Sequence, residues 1–184
     1  ETIFLAIFGY FFLKEKINLI TFISIILGMS GVLLIVGSSL SIQSNEQFLG
    51  NVVAFIMPIS FAILVIIIRK YPNVDMVPSQ FTAGIAAAVI GFLIAGKLSI
   101  SPHDLFLAFL AGFFQIGFGF ILITIGSQTT PAAVVGVLML TESVFGPLWA
   151  WLFINEIPPI SVLIGGGIII FSILLQAFYS KKAS

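Results

Sequence analysis

Apolar runs of about twenty residues, each closed by a short polar cluster, recur along the whole chain, and this spacing limits its fold more than any other feature. A hydrocarbon slab of roughly 30 Å demands about 20 consecutive apolar residues of each spanning α-helix. Strands of a membrane barrel alternate in character and run about ten residues, so a barrel does not fit. The runs divide the chain into seven segments: a partial one up to residue 13, then 19–37, 50–69, 77–96, 105–126, 131–153 and 161–179. Only 8% of residues are charged, against roughly a quarter in soluble domains, so this chain cannot clothe a water-facing surface. The fold class expected is an all-α polytopic membrane protein.

Local signals mark some segment ends. Thr129 and Thr130 before Pro131 form a helix start, a hydroxyl cap ahead of a proline at the first helical position. Pro158 and Pro159 enforce a break before the last helix. The first run is too short to cross a bilayer and opens on Glu1, so the expectation is a chain cut inside a helix.

The composition also removes several chemistries. A net charge of zero gives no surface for nucleic acid. The absence of cysteine excludes disulfides, thiolate metal sites and cysteine nucleophiles together. One histidine, no paired carboxylates and no phosphate-binding glycine loop leave neither a metal site nor a cofactor to expect.

The distribution of charge is more informative than its sum. Lys14 and Lys16 follow the first segment, Arg69 and Lys70 the third, and Lys181 and Lys182 the seventh, while Lys97 alone lies on the other side. The positive-inside bias therefore puts the loops after segments one, three, five and seven, and the C-terminus, in the cytoplasm.

The chain also resembles itself. At a shift of 141 residues, ETIFLAIFGYFFLKE from Glu1 lies over ESVFGPLWAWLFINE from Glu142. Glu1 and Glu142, Phe4 and Phe145, Phe12 and Phe153, and Glu15 and Glu156 are identical pairs. The copies stand five segments apart, an odd number, so they cross the membrane in opposite senses. Such inverted repeats are a transporter device, with sites near the bilayer midplane between the repeats. On this reading 1–41 holds the last two helices of a first five-helix repeat and 42–184 the second repeat. The intact protein would then have ten helices in a 5+5 arrangement, with on the order of three helices preceding Glu1.

The run GFFQIGFGFILITIGSQTTPAAVVGVLMLTESVFGPLWAWLFINEIPP, from Gly112 to Pro159, resembles the EamA-type family of the drug/metabolite transporter superfamily. FFLKEKINLITFISIILGMSGVLLIVG resembles the same motif at the end of that family's first repeat. The resemblance implies ten helices, cytoplasmic termini, residence in the cell (plasma or inner) membrane and export of metabolites, amino acids or drugs by alternating access. It implies as partners the lipid bilayer and a small-molecule substrate, with homodimer formation left open. The pair Asn155-Glu156 departs from the Gly-Glu commoner in the family.

Glu142 is the foremost candidate for function. It sits eleven positions after Pro131, close to mid-membrane, and no Lys, Arg or His lies at comparable depth. Ionisable groups there are costly and face a bundle interior or cavity, where a carboxyl can exchange a proton or bond a substrate. Met139, Phe145 and Trp149 fall on its helical face and would give a cavity an apolar lining. Pro147 cannot donate to the carbonyl of Ser143 and should kink that helix, and Pro58, on one face with Asn51, Ala54 and Ala62, should kink the third segment.

Gly112, Gln115, Gly119 and Gly126 share an arc of roughly 60° at 100° per residue. Ser161, Gly165, Ser172 and Gln176 make a similar stripe on the last segment. Small and polar stripes of this kind let membrane helices approach closely; Gln115, an amide at mid-depth, could also reach a cavity. Glu15 and Glu156 stand at span ends, where a helix cap or an interfacial contact, rather than a substrate role, is expected of them. Two other classes compete with a transporter. A membrane-embedded enzyme needs polar groups clustered at one depth, where only Glu142 and Gln115 qualify, and a seven-helix receptor or binding protein needs Glu1 to be the true start.

Overall fold

The computed structural model describes residues 1–37, 50, 53–96 and 99–183, with the backbone alone for 154 and 180–183. Asn51 and Lys97 lie outside the described residues. All regular structure among them is helical: α1 (Thr2–Leu13), α2 (Leu19–Gly37), α3 (Ile56–Lys70), α4 (Val77–Ile94), α5 (Pro102–Leu110), a π-helical stretch (Ala111–Phe118), α6 (Gly119–Ser127), α7 (Ala132–Met139), α8 (Thr141–Ile154) and α9 (Ile160–Ala183). Among the described residues, five spans are long and apolar enough to cross a membrane: Leu19–Gly37, Val77–Ile94, Pro102–Ser127, Ala132–Phe153 and Ile160–Tyr179.

The chain forms two compact units, one of residues 1–67 with 130–184 and the other of 68–129. In the first unit, α1 crosses α7 where side chains are small. A Cβ at Gly136 would come within 3.0 Å of Thr2 Cα, and one at Gly9 within 3.0 Å of Ala132 Cβ. The closeness lets the Thr2 hydroxyl donate to the Gly136 carbonyl at 2.8 Å, bonding the two helices without any charge. Leu5, Ala62, Val65, Ala132 and Val135 close a core among α1, α3 and α7.

α2 and α9 pair antiparallel along most of their length. A Cβ at Gly31 would lie 2.6 Å from the Gly165 carbonyl oxygen, and one at Gly165 the same distance from that of Gly31, so backbone meets backbone there. Two turns along, the Ser172 hydroxyl donates to the Ser24 carbonyl at 2.8 Å. The stripe expected on the last segment is thus a packing surface through Gly165, Ser172 and Gln176, which are buried, with Ser161 half-buried.

The second unit holds α4 and the rod from α5 to α6. Ser101 caps α5 by accepting from the Asp104 amide at 3.1 Å. Arg69 donates to the Gln128 carbonyl at 2.7 Å, placing a cation at the end of α6, where the helix dipole favours it. The stripe expected at Gly112, Gly119 and Gly126 has no packing role here: a Cβ at any of them would meet nothing within 4 Å. The π stretch is the reason. Its i→i+5 bonding turns each residue by less than an α-helix does, so positions before and after it leave a common face.

Two interruptions sit where proline was expected to act, each displaced. In the third segment residues 53–54 are helical, Phe55 is a turn and α3 begins at Ile56, which puts Pro58 in its first turn. In the sixth, the break is at Leu140, and Pro147 lies inside α8. The break has its own local bonds: the Leu140 amide donates to Val137 and the Ser143 amide to Leu140, both i→i−3. The Thr141 hydroxyl, donating to the Leu138 carbonyl, stabilises the tightened turn.

α1 and α8 end alike. Among the described residues, Lys14 and Asn155 are the non-glycine ones with positive φ, at 56° and 57°, and each terminates its helix. The Lys14 amide donates to the Gly9 carbonyl and the Asn155 amide to that of Ala150. The next amides, of Glu15 and Glu156, reach the same two carbonyls at 3.2 and 3.4 Å. Each pair is separated by the same 141 residues as the sequence repeat. A left-handed φ also accounts for the Gly-Glu preference of the resembling family, since only glycine adopts it without a Cβ penalty and asparagine is the next most tolerant. Lys14→Gly should therefore raise stability by about 1 kcal/mol, Asn155→Gly by less, and Asn155→Val should lower it by about 1–2 kcal/mol; thermal unfolding in one detergent orders the three.

Candidate functional site

Glu142 stands in the first turn of α8, directly after the break at Leu140. It lines a cavity of about 180 Å³ in the first unit together with Glu1, Thr2, Met29, Met139 and Ser143, and with Val32 and Leu140 completing the wall. The two carboxyls in this cavity are those that the internal repeat superposes, Glu1 on Glu142. Thr2 is held in place by its bond to Gly136, and Leu140 is buried against Gly28 of α2. No Lys, Arg or His lines this cavity. It is an open, oxygen-rich groove with thioether walls, in which Glu1 and Glu142 are both exposed, suited to protons or to a cationic group.

The sequence-predicted residues divide. Met139 joins Glu142 in the cavity. Phe145 and Trp149 do not: they stack on each other at 6.2 Å, Trp149 continues to Phe153 at 5.6 Å, and all three rings are exposed. The 100° spacing that places them on the face of Glu142 holds, but Glu142 opens α8 at the break, and the rings run on as an outward ladder. Pro147 lines a separate cavity of about 310 Å³ between α8 and α9, walled by side chains such as Leu148, Trp151 and Val162 and by Gly166. Gln115 is exposed within the π stretch of the second unit. It does not line that unit's groove of about 790 Å³, whose walls include Phe81, Gly84, Gly112 and Phe120 and whose polar side chain is Gln80.

Sequence reasoning left Glu1, Thr2, Met29 and Ser143 out of the site. For Glu1 the signal existed, because its repeat mate was already a candidate. Met29 carried none, since its place depends on how α2 packs against α7.

Glu15 behaves as a span-end residue should. Its carboxylate accepts from the Ala132 amide at 2.8 Å, across 117 positions of sequence. Pro131 makes no side-chain cap for α7, so a carboxylate from the end of α1 supplies the negative charge that this helix start favours. Beside it lies a cavity of about 60 Å³ lined by Tyr10, Glu15, Lys16, Asn18 and Thr21 among others.

Comparison with known proteins gives transporters as relatives. The chain is 28% identical to an uncharacterized transporter of Methanothermobacter thermautotrophicus over 99% of its own length and 55% of that protein's. It is 24% identical to an uncharacterized transporter of Clostridium kluyveri over 100% of its own length and 62% of that protein's. It therefore spans somewhat more than half the length of these curated relatives. No solved structure matches it significantly. The model of the EamA-like transporter family matches residues 48–178, and with five apolar spans of bilayer length among the described residues, the chain is an integral membrane protein that belongs to the EamA-like transporter family.

Proposed function

We propose that the intact protein is a secondary transporter that moves small molecules, metabolites, amino acids or drugs, by alternating access between two inverted repeats. The observation that carries this reading is the convergence of Glu1 and Glu142, related by the repeat, on one cavity. A two-fold axis in the membrane plane brings equivalent positions of two inverted copies together at mid-depth, where transporter sites lie. The matching left-handed helix ends at Lys14 and Asn155 support the same repeat. The role assigned to the carboxyls is to exchange a proton, or a cationic substrate group, as the cavity changes sides.

The test is transport by the full-length protein in proteoliposomes across a panel of metabolites, with and without an imposed pH gradient. Uptake or efflux of a panel member that responds to the gradient is the expected result. Failure of every substrate to move would refute the reading.

Orientation has its own support. The Glu15 to Ala132 bond puts the loop of Lys14 and Lys16 at the same end of the first unit as the start of α7. The register of α9 on α2, Gly165 at Gly31 and Ser172 at Ser24, carries the C-terminal end of α9 to that end too. We assign this end to the cytoplasm. Because the chain has no cysteine, Ser101→Cys should react with an impermeant thiol reagent from outside intact cells, whereas Asn73→Cys should react only after permeabilisation. The opposite pattern would reverse the assignment. Ser127, at an expected cytoplasmic loop, is buried and unsuitable as a probe, and Ser44, in an expected outer loop, lies outside the described residues.

A further inference from the structure

The α2–α9 seam contains polar groups that its own hydrogen bonds do not satisfy. Ser24 and Ser172 are fully buried and Gln176 is 2% exposed. Ser172 donates to the Ser24 carbonyl, but Ser24 Oγ and Gln176 Oε1 are buried without a hydrogen-bond partner. Within a bilayer, solvent offers no relief, and an orphaned acceptor or hydroxyl costs as much as a bond forgone.

The two orphans belong to one place. Successive contacts pair Gly31 with Gly165, then Ser24 with Ser172. One more turn along these antiparallel helices brings Gln176 level with Thr21, one turn from Ser24. Long helical side chains lean toward their helix N-terminus, which directs the Gln176 amide back toward Ser172 and Ser24.

The geometry points to a single water molecule bound in this seam, bridging Ser24 Oγ and Gln176 Oε1. Complementarity decides the guest. Gln176 Oε1 only accepts and needs a donor, while the Ser24 hydroxyl has a proton that needs an acceptor. Water supplies both. A sodium ion would attract both oxygens but could take no proton from Ser24, and it would find few of the five or six oxygens it prefers. With a lone pair of Ser172 Oγ, the water has three partners, the usual number for a buried one. Thr21, one turn from Ser24, also lines the cavity of about 60 Å³ at the end of α1, which has room for water. This inference is independent of the transport reading.

Two measurements on the full-length protein test it. A high-resolution structure in lipid should show density within hydrogen-bonding distance of both oxygens, and a Gln176 amide bonded directly to Ser24 with nothing between would overturn the proposal. Thermal unfolding gives the second. Ser24→Ala and Gln176→Leu should each lower the midpoint by about 3–6 °C by orphaning the water and the remaining partner. The double variant, apolar on both sides, should recover most of the loss. Additive losses would count against a shared guest, and a midpoint that falls when sodium is replaced by choline would assign the site to a cation instead.

Discussion

Glu142→Gln is expected to abolish proton-driven transport by the full-length protein while leaving insertion and folding unchanged. Glutamine keeps the shape of the side chain and most of its hydrogen bonding but cannot bind and release a proton. If the carboxyl exchanges a proton in each cycle, gradient-driven flux should fall by about 10²-fold or more, the size of effect seen when a proton-transfer group is lost. If Glu142 only bonds a neighbouring helix, glutamine replaces it at a cost of about 1 kcal/mol or less, and flux survives. Glu142→Ala separates the two by removing the polar group altogether. Glu1→Gln is the partner experiment, because both carboxyls line the same cavity: a shared role predicts that the double variant is no worse than the more damaged single one. Near-normal, still proton-dependent flux in Glu142→Gln would remove the carboxyl from the mechanism.

The second large effect is expected at Gly31. A Cβ there would stand 2.6 Å from the Gly165 carbonyl oxygen and 2.7 Å from Ile169 Cγ1. The nearer obstacle is backbone, which cannot swing aside as a flexible side chain could, so α2 and α9 must separate. Gly31→Ala should cost about 1–3 kcal/mol, as overpacking does, and Gly31→Val at least as much. Gly165→Ala should match it, since that Cβ meets the Gly31 carbonyl oxygen at 2.6 Å. Gly37→Ala and Gly167→Ala are controls from the same two helices, open for 4 Å around, and should stay within about 0.5 kcal/mol of the parent. Unfolding of the five variants and the parent in one detergent makes the comparison; equal loss at Gly31 and Gly37 would contradict the close approach.

What the sequence revealed follows from the range of each interaction. Bilayer-length apolar runs report a solvent, and they gave the helical class and most span limits. The stripe of Gly165, Ser172 and Gln176 was legible because an unbroken α-helix keeps 100° per residue. The same rule failed for Gly112, Gln115 and Gly119, because a π stretch intervenes and no residue in AGFFQIGF announces it. Pro147 drew attention from Leu140, where a threonine back-bond and two short-range amide bonds make the actual break. Glu15 suggested a cap or an interfacial contact, but the amide it caps lies 117 positions away, a distance at which local pattern is silent. The pairing of Glu1 with Glu142 lay between these cases: the repeat related them, yet only the crossing of α1 and α7 brings both to one groove.

The bond from Glu15 to Ala132 bears on how the chain is made. Ribosomes add about 5–20 residues per second, so the acceptor is synthesised roughly 6–23 s before the amide that it will hold, 117 residues later. α7 thus enters a membrane in which the end of α1 has already been delivered. Because Pro131 provides no side-chain cap, the late helix acquires its starting anion from a piece finished earlier, and the order of manufacture becomes the order of assembly.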